Sequence, residues 1–161
     1  MNATSQPQHQ WLRKLLGEWT YEHEAGCAPD KPREKVTGIE RVRPLGELWV
    51  LCEGAGDMPG GAGKAQMVMT LGFDSAKRRF VGTWVGSMMT YLWVYEGQLD
   101  DAQRVLTLNS EGPSFVSEGK TARYQDIIEF LSDDHRTLTS RSLGEDGKWH
   151  EFMVAHYRRT K

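Results

Sequence analysis

The stretch LLGEWTYE, residues 15–22, joins two different sequence patterns and indicates how the fold begins. Before it, apolar residues between positions 11 and 16 recur every four residues, which places them on one face of a short helix. After it, apolar and polar residues alternate with a period of two, as in strands that bury one face. Gly17 is suited to end the helix in a left-handed conformation. We therefore expect the first strand to begin near Trp19.

The start of the helix is also marked. Ser5 and Gln8 have the spacing of a capping box, and Pro7 is tolerated in a first helical turn. We expect this helix to cover one end of the structure that follows.

The alternation continues to the end of the chain and predicts ten strands. They are expected at about 19–25, 34–43, 47–54, 65–74, 79–86, 90–99, 104–110, 122–131, 136–143 and 149–159. Short turn signals such as Asp100-Asp101 and Asp133-Asp134 separate them. Consecutive strands with no second helix indicate an all-β, antiparallel, up-and-down β-barrel in a single domain, with the tail and helix at 1–17 and the barrel at 18–161.

The predicted strand number suggests an internal cavity. Closing the sheet removes its edges, and barrels with more than about eight strands leave room inside once side chains are placed. The 161 residues include six tryptophans and seven methionines, which fill a core or form an adaptable binding surface. Both interpretations remain open from composition alone.

Charge and composition disfavour several other classes of protein. The net charge of −2 provides no basic surface for nucleic acid, and no apolar run is long enough to span a membrane. The N-terminus lacks the pattern of a signal peptide, so a cytoplasmic protein is expected. In that compartment Cys27 and Cys52 are expected to be unpaired thiols.

The pattern at the two ends of the chain resembles a known superfamily. A helix followed by Gly17-x-Trp19, with Arg158 or Arg159 near the end of the last strand, is similar to the calycin superfamily of lipocalin-like barrels. The resemblance implies that an arginine of the final strand covers the tryptophan at the closed end. We assign this stack to Trp19 and Arg159, where cation–π contact contributes about 0.5–2 kcal/mol.

A wider set of segments resembles one bacterial family. LLGEWTYE, PLGELWVLCEG, MTLGFDSAKRRFVGTWVGSM and DDHRTLTSRSLGEDGKW are similar to domain of unknown function 1579, over nearly the whole chain. This resemblance implies a fold rather than an activity. A distant calycin relative, nitrobindin, binds haem through one histidine, so haem is a possible cofactor, although none is expected.

Strand alternation predicts which side chains face the interior. The expected ligand-binding residues are Met67, Met69, Trp84, Tyr91, Trp93, Tyr95, Tyr124 and Asp126. For the last strand two registers are open. If Arg159 covers Trp19, residues 149, 151, 153, 155 and 157 face inward, and this set packs a core better. If Arg158 covers Trp19 instead, the inward-facing residues are His150, Phe152, Val154 and His156.

Other motifs favour no metal or nucleotide site. The glycine-rich segment 54–64 lacks the spacing of a phosphate-binding loop and is expected to be a loop at the barrel mouth. His150 and His156 share a strand face but lie roughly 20 Å apart, too far for one ion. Haem would need one histidine inside the barrel as a ligand of its iron. That residue would be His156, if it faces inward, or His23, if it lies far enough from the closed end.

Three functions are therefore considered, with no catalytic residue assigned. The first is binding of a small hydrophobic or aromatic molecule, with Asp126 as the polar anchor. The second is acid–base catalysis by Asp126, unless Arg141 on the adjacent strand neutralises it. The third is a homodimer or partner-binding barrel whose outer face includes Val81, Val85 and Ile127.

Overall fold

The computed structural model of the protein describes residues 3–25 and 32–161 and shows a closed, ten-stranded antiparallel β-barrel. The strands are β1 (Gly17–Ala25), β2 (Glu34–Leu45), β3 (Trp49–Asp57), β4 (Lys64–Asp74), β5 (Arg79–Gly86), β6 (Trp93–Leu99), β7 (Val105–Pro113), β8 (Thr121–Ser132), β9 (His135–Leu143) and β10 (Trp149–Arg159). Each strand pairs with the next, and β1 pairs with β10 to close the barrel. The predicted all-β barrel is confirmed. Within the described ranges, no helix is long and apolar enough to cross a membrane.

The cap of the N-terminal helix α1 (Pro7–Leu12) is Gln6, one residue later than the predicted cap Ser5. Gln6 is extended and its backbone N–H donates to Nδ1 of His9 at 2.9 Å, so the capping contact joins these residues rather than Ser5 and Gln8. The reason is Pro7, which occupies the first helical position and leaves Gln6 as the cap. A 3₁₀ turn at Arg13–Leu15 completes the element.

Gly17 has a different role from the one predicted. It does not cap the helix but is the first residue of β1, with φ of 127°. A Cβ here would lie 2.4 Å from the carbonyl oxygen of Lys161, whose oxygen also accepts a hydrogen bond from the Glu18 N–H at 3.0 Å. The close approach of the C-terminal residues therefore requires glycine at this position.

The helix closes the end of the barrel at which β1 begins, called the closed end below. The Trp11 indole N–H donates to the carbonyl of Gln103 at 2.7 Å, and its ring packs edge-on against Phe80 and Phe130. Nε2 of His9 lies 3.0 Å from the carbonyl oxygen of Phe73. These contacts tie the helix to β4, β5 and β8.

Trp19 is the centre of the closed end. It is 1% exposed, and its indole N–H donates to the carbonyl of Leu15 at 2.8 Å. The Arg159 guanidinium lies 4.2 Å from the ring centre, in the register in which the two residues are paired on β1 and β10. A second guanidinium, that of Arg136, lies 4.6 Å from the same ring. Arg136 also forms an ion pair with Glu40, and sequence reasoning did not identify either residue.

Candidate functional site

A cavity of about 340 Å³ lies between the packed closed end and the opposite, open end of the barrel. Aromatic and methionine side chains dominate its wall. The aromatic residues are Tyr21, Trp84, Trp93, Tyr95, Phe115, Tyr124, Phe152 and Tyr157, and the methionines are Met58, Met67, Met69, Met88, Met89 and Met153. Every methionine in the described part of the chain thus lines this cavity, so the methionines are concentrated around it.

Seven of the eight side chains expected to bind a ligand line the cavity. They are Met67, Met69, Trp84, Trp93, Tyr95, Tyr124 and Asp126. Tyr91 is the exception, because β6 begins at Trp93 and leaves Tyr91 in the preceding loop. Its ring packs edge-on against Trp93 at 4.9 Å, and its hydroxyl donates to the carbonyl of Glu111 at 2.9 Å. Tyr91 therefore supports the wall from outside.

Four rings form an aromatic collar at the open end: Trp93, Phe115, Tyr124 and Phe152. Tyr124 contacts the other three at centroid distances of 5.1, 5.4 and 6.2 Å. Phe115 and Phe152 are 62% and 44% exposed, although both line the cavity. The collar is therefore an apolar surface that faces both solvent and the cavity.

Asp126 lies deeper than the collar and is held by two hydroxyl groups. Ser140 donates to one carboxylate oxygen at 2.6 Å, and Tyr95 donates to the other. The carboxylate is enclosed by protein, and the surface that it keeps faces the cavity. Arg141, the expected alternative partner, points to the outer face and donates to Gln125 at 2.7 Å. No guanidinium or ammonium group in the described residues pairs with Asp126.

Burial shifts the pKa values of both Asp126 and Tyr95. It raises the pKa of Asp126 because desolvation disfavours the charged carboxylate, while the hydrogen bonds from Ser140 and Tyr95 partly oppose the shift. Burial and the neighbouring carboxylate raise the pKa of Tyr95 well above its usual value. Tyr95 is therefore a neutral hydrogen-bond donor at neutral pH.

The expected inward register of β10 holds for only part of the strand. Met153, Ala155 and Tyr157 line the cavity, as expected for the Arg159 register. A β-bulge between Glu151 and Met153 reverses the alternation above them, because it inserts Phe152 as an extra residue. Trp149 and Glu151 consequently share the outer face with Arg141, and Phe152 joins the cavity wall.

The five histidines all lie in the described part of the chain, in the helix and on three strands of the barrel. The described ranges contain no group of three or more potential metal ligands. His156 lies on the outer face of β10, where its Nδ1 is 3.0 Å from Nε2 of His135, so it does not reach the cavity. His23 does line the cavity, and its Nδ1 is buried without a hydrogen-bond partner among the described residues. Burial also lowers the pKa of His23, which favours its neutral form.

The glycine-rich segment is divided between a strand and a loop. β3 extends to Asp57, so Gly54 and Gly56 are strand residues, and only the turn between Asp57 and Lys64 lies at the mouth. Met58 and Pro59 of this turn contribute to the cavity wall. The prediction of a mouth loop thus applies to its second half.

The two cysteines were expected to be unpaired thiols. Cys52 is buried on the inner face of β3, whereas Cys27 lies outside the described residues.

The expected outer face is only partly exposed. Val85 is 42% exposed on the barrel exterior, and Val81 and Ile127 are less exposed. These three residues lie on strands β5 and β8, separated by β6 and β7.

Sequence reasoning missed several residues of the site. They include Ser140, Phe115, Met88, Met89 and Tyr21. Met153 and Tyr157 were expected to face inward but not to bind the ligand, and Phe152 was expected inward only in the other register of the last strand. Ser140 had no signal of its own, since its role depends on lying opposite Asp126 in the β8–β9 ladder. Methionine content was a usable signal, because each described methionine proves to face the cavity.

The structure is a closed, ten-stranded antiparallel barrel with an internal cavity. Comparison with known proteins identifies the family. The chain belongs to the family described as "Protein of unknown function (DUF1579)", whose model matches residues 4–159. No curated protein matches the chain.

Solved structures show the same architecture at low sequence identity. Rv2717c from M. tuberculosis is 13% identical, with a TM-score of 0.61, and the match covers 98% of this chain and 100% of that chain. The S-type phycobiliprotein lyase CPES from Guillardia theta is 14% identical, with a TM-score of 0.57 and coverage of 94% and 92%. EF1p2_mFAP2b bound to DFHBI is 11% identical, with a TM-score of 0.50 and coverage of 95% and 99%. At these identities the likeness is one of fold.

Proposed function

We propose that the protein binds a small apolar or aromatic molecule inside the barrel, with Asp126 as the polar anchor. The observation that carries the proposal is the cavity itself, about 340 Å³ in volume and walled by aromatic and methionine side chains. This volume falls at the lower end of the roughly 300–1,000 Å³ that is usual for ligand pockets. The expected ligand is therefore compact.

The composition of the wall supports the same proposal. Methionine is flexible and polarizable, and adapts to ligands of irregular shape. A few polar groups within an apolar pocket usually determine the orientation of the ligand. Here Asp126, Tyr95 and Ser140 form such a group on one side of the cavity.

The open end offers a route for the ligand. The exposed Phe115 and Phe152 lie at the mouth and extend the apolar surface from solvent into the cavity. Among barrels of the same architecture, EF1p2_mFAP2b is bound to DFHBI, which supports the use of this fold for holding a small molecule.

The proposal is tested with a neutral fluorescent probe, N-phenyl-1-naphthylamine, whose emission increases in apolar surroundings. We expect saturable binding of one probe per chain to the wild-type protein. Met153→Trp should abolish it, because the larger side chain occupies the cavity. Val154→Trp is the matched control, since the neighbouring residue points outward and is 39% exposed.

The two variants separate cavity binding from surface binding. Equal loss or equal retention in both would contradict binding inside the barrel, as would a wild-type protein that binds no probe. Native mass spectrometry and an absorption spectrum of the purified protein complete the test. A released small mass would identify the ligand class, whereas a haem spectrum would identify His23 as the residue to replace.

A second candidate function is acid–base catalysis by Asp126 on a molecule held in the same cavity. The observation that favours it is a cavity-facing carboxyl whose pKa is raised by burial. Candidate substrates would come from the mass spectrometry. Asp126→Asn should then keep the affinity for such a substrate and abolish its turnover, and turnover that survives would exclude this function.

A further inference from the structure

We infer that the ligand of the cavity is an organic cation, an amine attached to an apolar body, whose charged nitrogen is held by Asp126. This inference rests on the proposed function and specifies the chemistry of the ligand. Three features of the cavity support it: the balance of charges in the wall, the surroundings of Asp126 and the position of the aromatic rings.

The charged groups of the cavity wall are predominantly acidic. Glu40, Asp57 and Asp126 line it, and no lysine or arginine among the described residues does. His23 is the one basic side chain in the described wall, and burial favours its neutral form. An anionic ligand would therefore meet carboxylates without a compensating cation.

Two of the three carboxylates already have a cationic partner. Glu40 pairs with Arg136, which lies beneath the cavity floor and is 2% exposed. Asp57 pairs with Lys64 at the open end, where both side chains are largely exposed. The charge that remains without a counter-ion is that of Asp126.

The surroundings of Asp126 leave its charge uncompensated. Tyr95 and Ser140 donate hydrogen bonds to it, but both hydroxyls are neutral. A carboxylate enclosed by protein is unfavourable unless it is paired with a cation, and its charge increases its capacity to accept hydrogen bonds. A protonated amine would supply both the counter-charge and additional N–H donors.

The aromatic rings above Asp126 complete the cation site. Tyr124 precedes Asp126 by two residues on the same face of β8, and Trp93 precedes Tyr95 in the same way on β6. Ring faces attract ammonium groups, and the attraction is stronger where water is excluded. The apolar body of such a ligand would contact the methionines of the remaining wall.

The test uses three soluble compounds of the same length that displace N-phenyl-1-naphthylamine. They are 4-phenylbutylamine, 4-phenyl-1-butanol and 4-phenylbutyrate, which are cationic, neutral and anionic at pH 7.5. We expect the wild-type protein to bind the amine at least roughly tenfold more tightly than the alcohol, and the butyrate most weakly. An amine that binds no better than the alcohol would overturn the inference.

Two carboxylate variants locate the preference. In Asp126→Asn the amine should lose its advantage over the alcohol, while the alcohol still binds. In Asp57→Asn, the matched control with a carboxylate already paired to Lys64, the advantage should remain. A preference that survives in Asp126→Asn would overturn the assignment to Asp126, and the wild-type comparison still decides the ligand class if that variant does not fold.

The neutral alcohol separates a failure of the cation inference from a failure of the proposed function. If it binds and Met153→Trp prevents its binding, but the amine has no advantage, the proposed cavity function stands and the cation inference fails. If none of the compounds binds and the probe does not bind either, the proposed function itself fails.

Discussion

The closed and open ends of the barrel differ in whether a buried charged side chain has a partner of opposite charge. At the closed end, the buried Arg136 forms an ion pair with Glu40 and lies against the rings of Trp19 and Tyr157. Towards the open end, Asp126 has hydroxyl partners and no cation among the described residues. The closed end is also filled by side chains, whereas the open end encloses a cavity.

This difference indicates that the closed end contributes mainly to the stability of the fold and that the region around Asp126 contributes mainly to binding. A charge that is paired and stacked contributes to a specific, closely packed end of the barrel. An enclosed charge without a counter-ion opposes folding, and such groups often mark a functional site. The comparison therefore predicts that substitutions at the closed end destabilise the protein, while replacement of Asp126 stabilises it at the expense of binding.

The largest effect is expected for Trp19→Ala at the closed end. Removing this buried ring should lower the free energy of unfolding by about 3–5 kcal/mol, since it leaves a void and removes the contacts with both guanidinium groups. Urea denaturation measures the change. Trp49→Ala is the matched control, because Trp49 is 39% exposed on the outer face, and it should lose less than half as much. Equal losses would show that the stack is not a centre of stability.

The next effect is expected for Arg136→Met. The free energy of unfolding should fall by about 3 kcal/mol, because the Glu40 carboxylate then keeps its burial without a partner. The double variant with Glu40→Gln should recover part of the loss in the same urea experiment. If the second substitution adds to the loss instead, the ion pair does not explain the effect of the first.

Asp126→Asn should have a smaller effect with the opposite sign. Because burial raises the pKa of Asp126 in the folded protein, ionisation at neutral pH favours the unfolded chain. The penalty is absent well below the usual Asp pKa of about 3.9, where the carboxyl is protonated in both states. It grows as the pH rises from that value to the raised pKa of the folded protein, and it is constant above that pKa.

The stability difference between Asp126→Asn and the wild type should therefore increase with pH and then become constant. Urea denaturation of both proteins between pH 4 and pH 8 measures it. A difference that does not change with pH would contradict the description of Asp126 as an enclosed carboxylate without a counter-ion.

The smallest effect is expected for Tyr91→Phe. The variant loses one partly exposed hydrogen bond, to the carbonyl of Glu111, and should lose about 0.5 kcal/mol of stability. Binding of N-phenyl-1-naphthylamine should not change, because the Tyr91 side chain lies outside the cavity wall. A weakened affinity would place Tyr91 in the binding site after all.

Much of the architecture could be predicted because it depends on local pattern. The change from helical spacing to alternation at Gly17 predicted the start of the barrel, and β1 includes Trp19 as expected. The predicted strand ends were less accurate where a strand continues past the position at which the sequence predicted its end. β7, for example, continues to Pro113 rather than ending at 110.

The partners of Asp126 could not be predicted, because a β-bulge changes the register between β8 and β9. A two-residue turn at Asp133-Asp134 pairs Ser132 with His135, and regular pairing from there would place Arg141 opposite Asp126. The register shifts by one between Phe130 and Ser132, so Ser140 lies opposite Asp126 instead. One inserted residue thus replaces a cation with a hydroxyl beside the carboxylate.

The sequence by itself determined the ten strands, the terminal helix and the tryptophan that begins the barrel, since hydrophobic periodicity and turn residues act over a few neighbouring positions. Only the tertiary structure decided that Arg136 lies beside Trp19, that Phe152 faces the cavity and that Asp126 faces Ser140. The physical reason is that side chains alternate with a period of two. A single bulge therefore reverses which residues meet inside the barrel without disturbing the pattern that forms the strands.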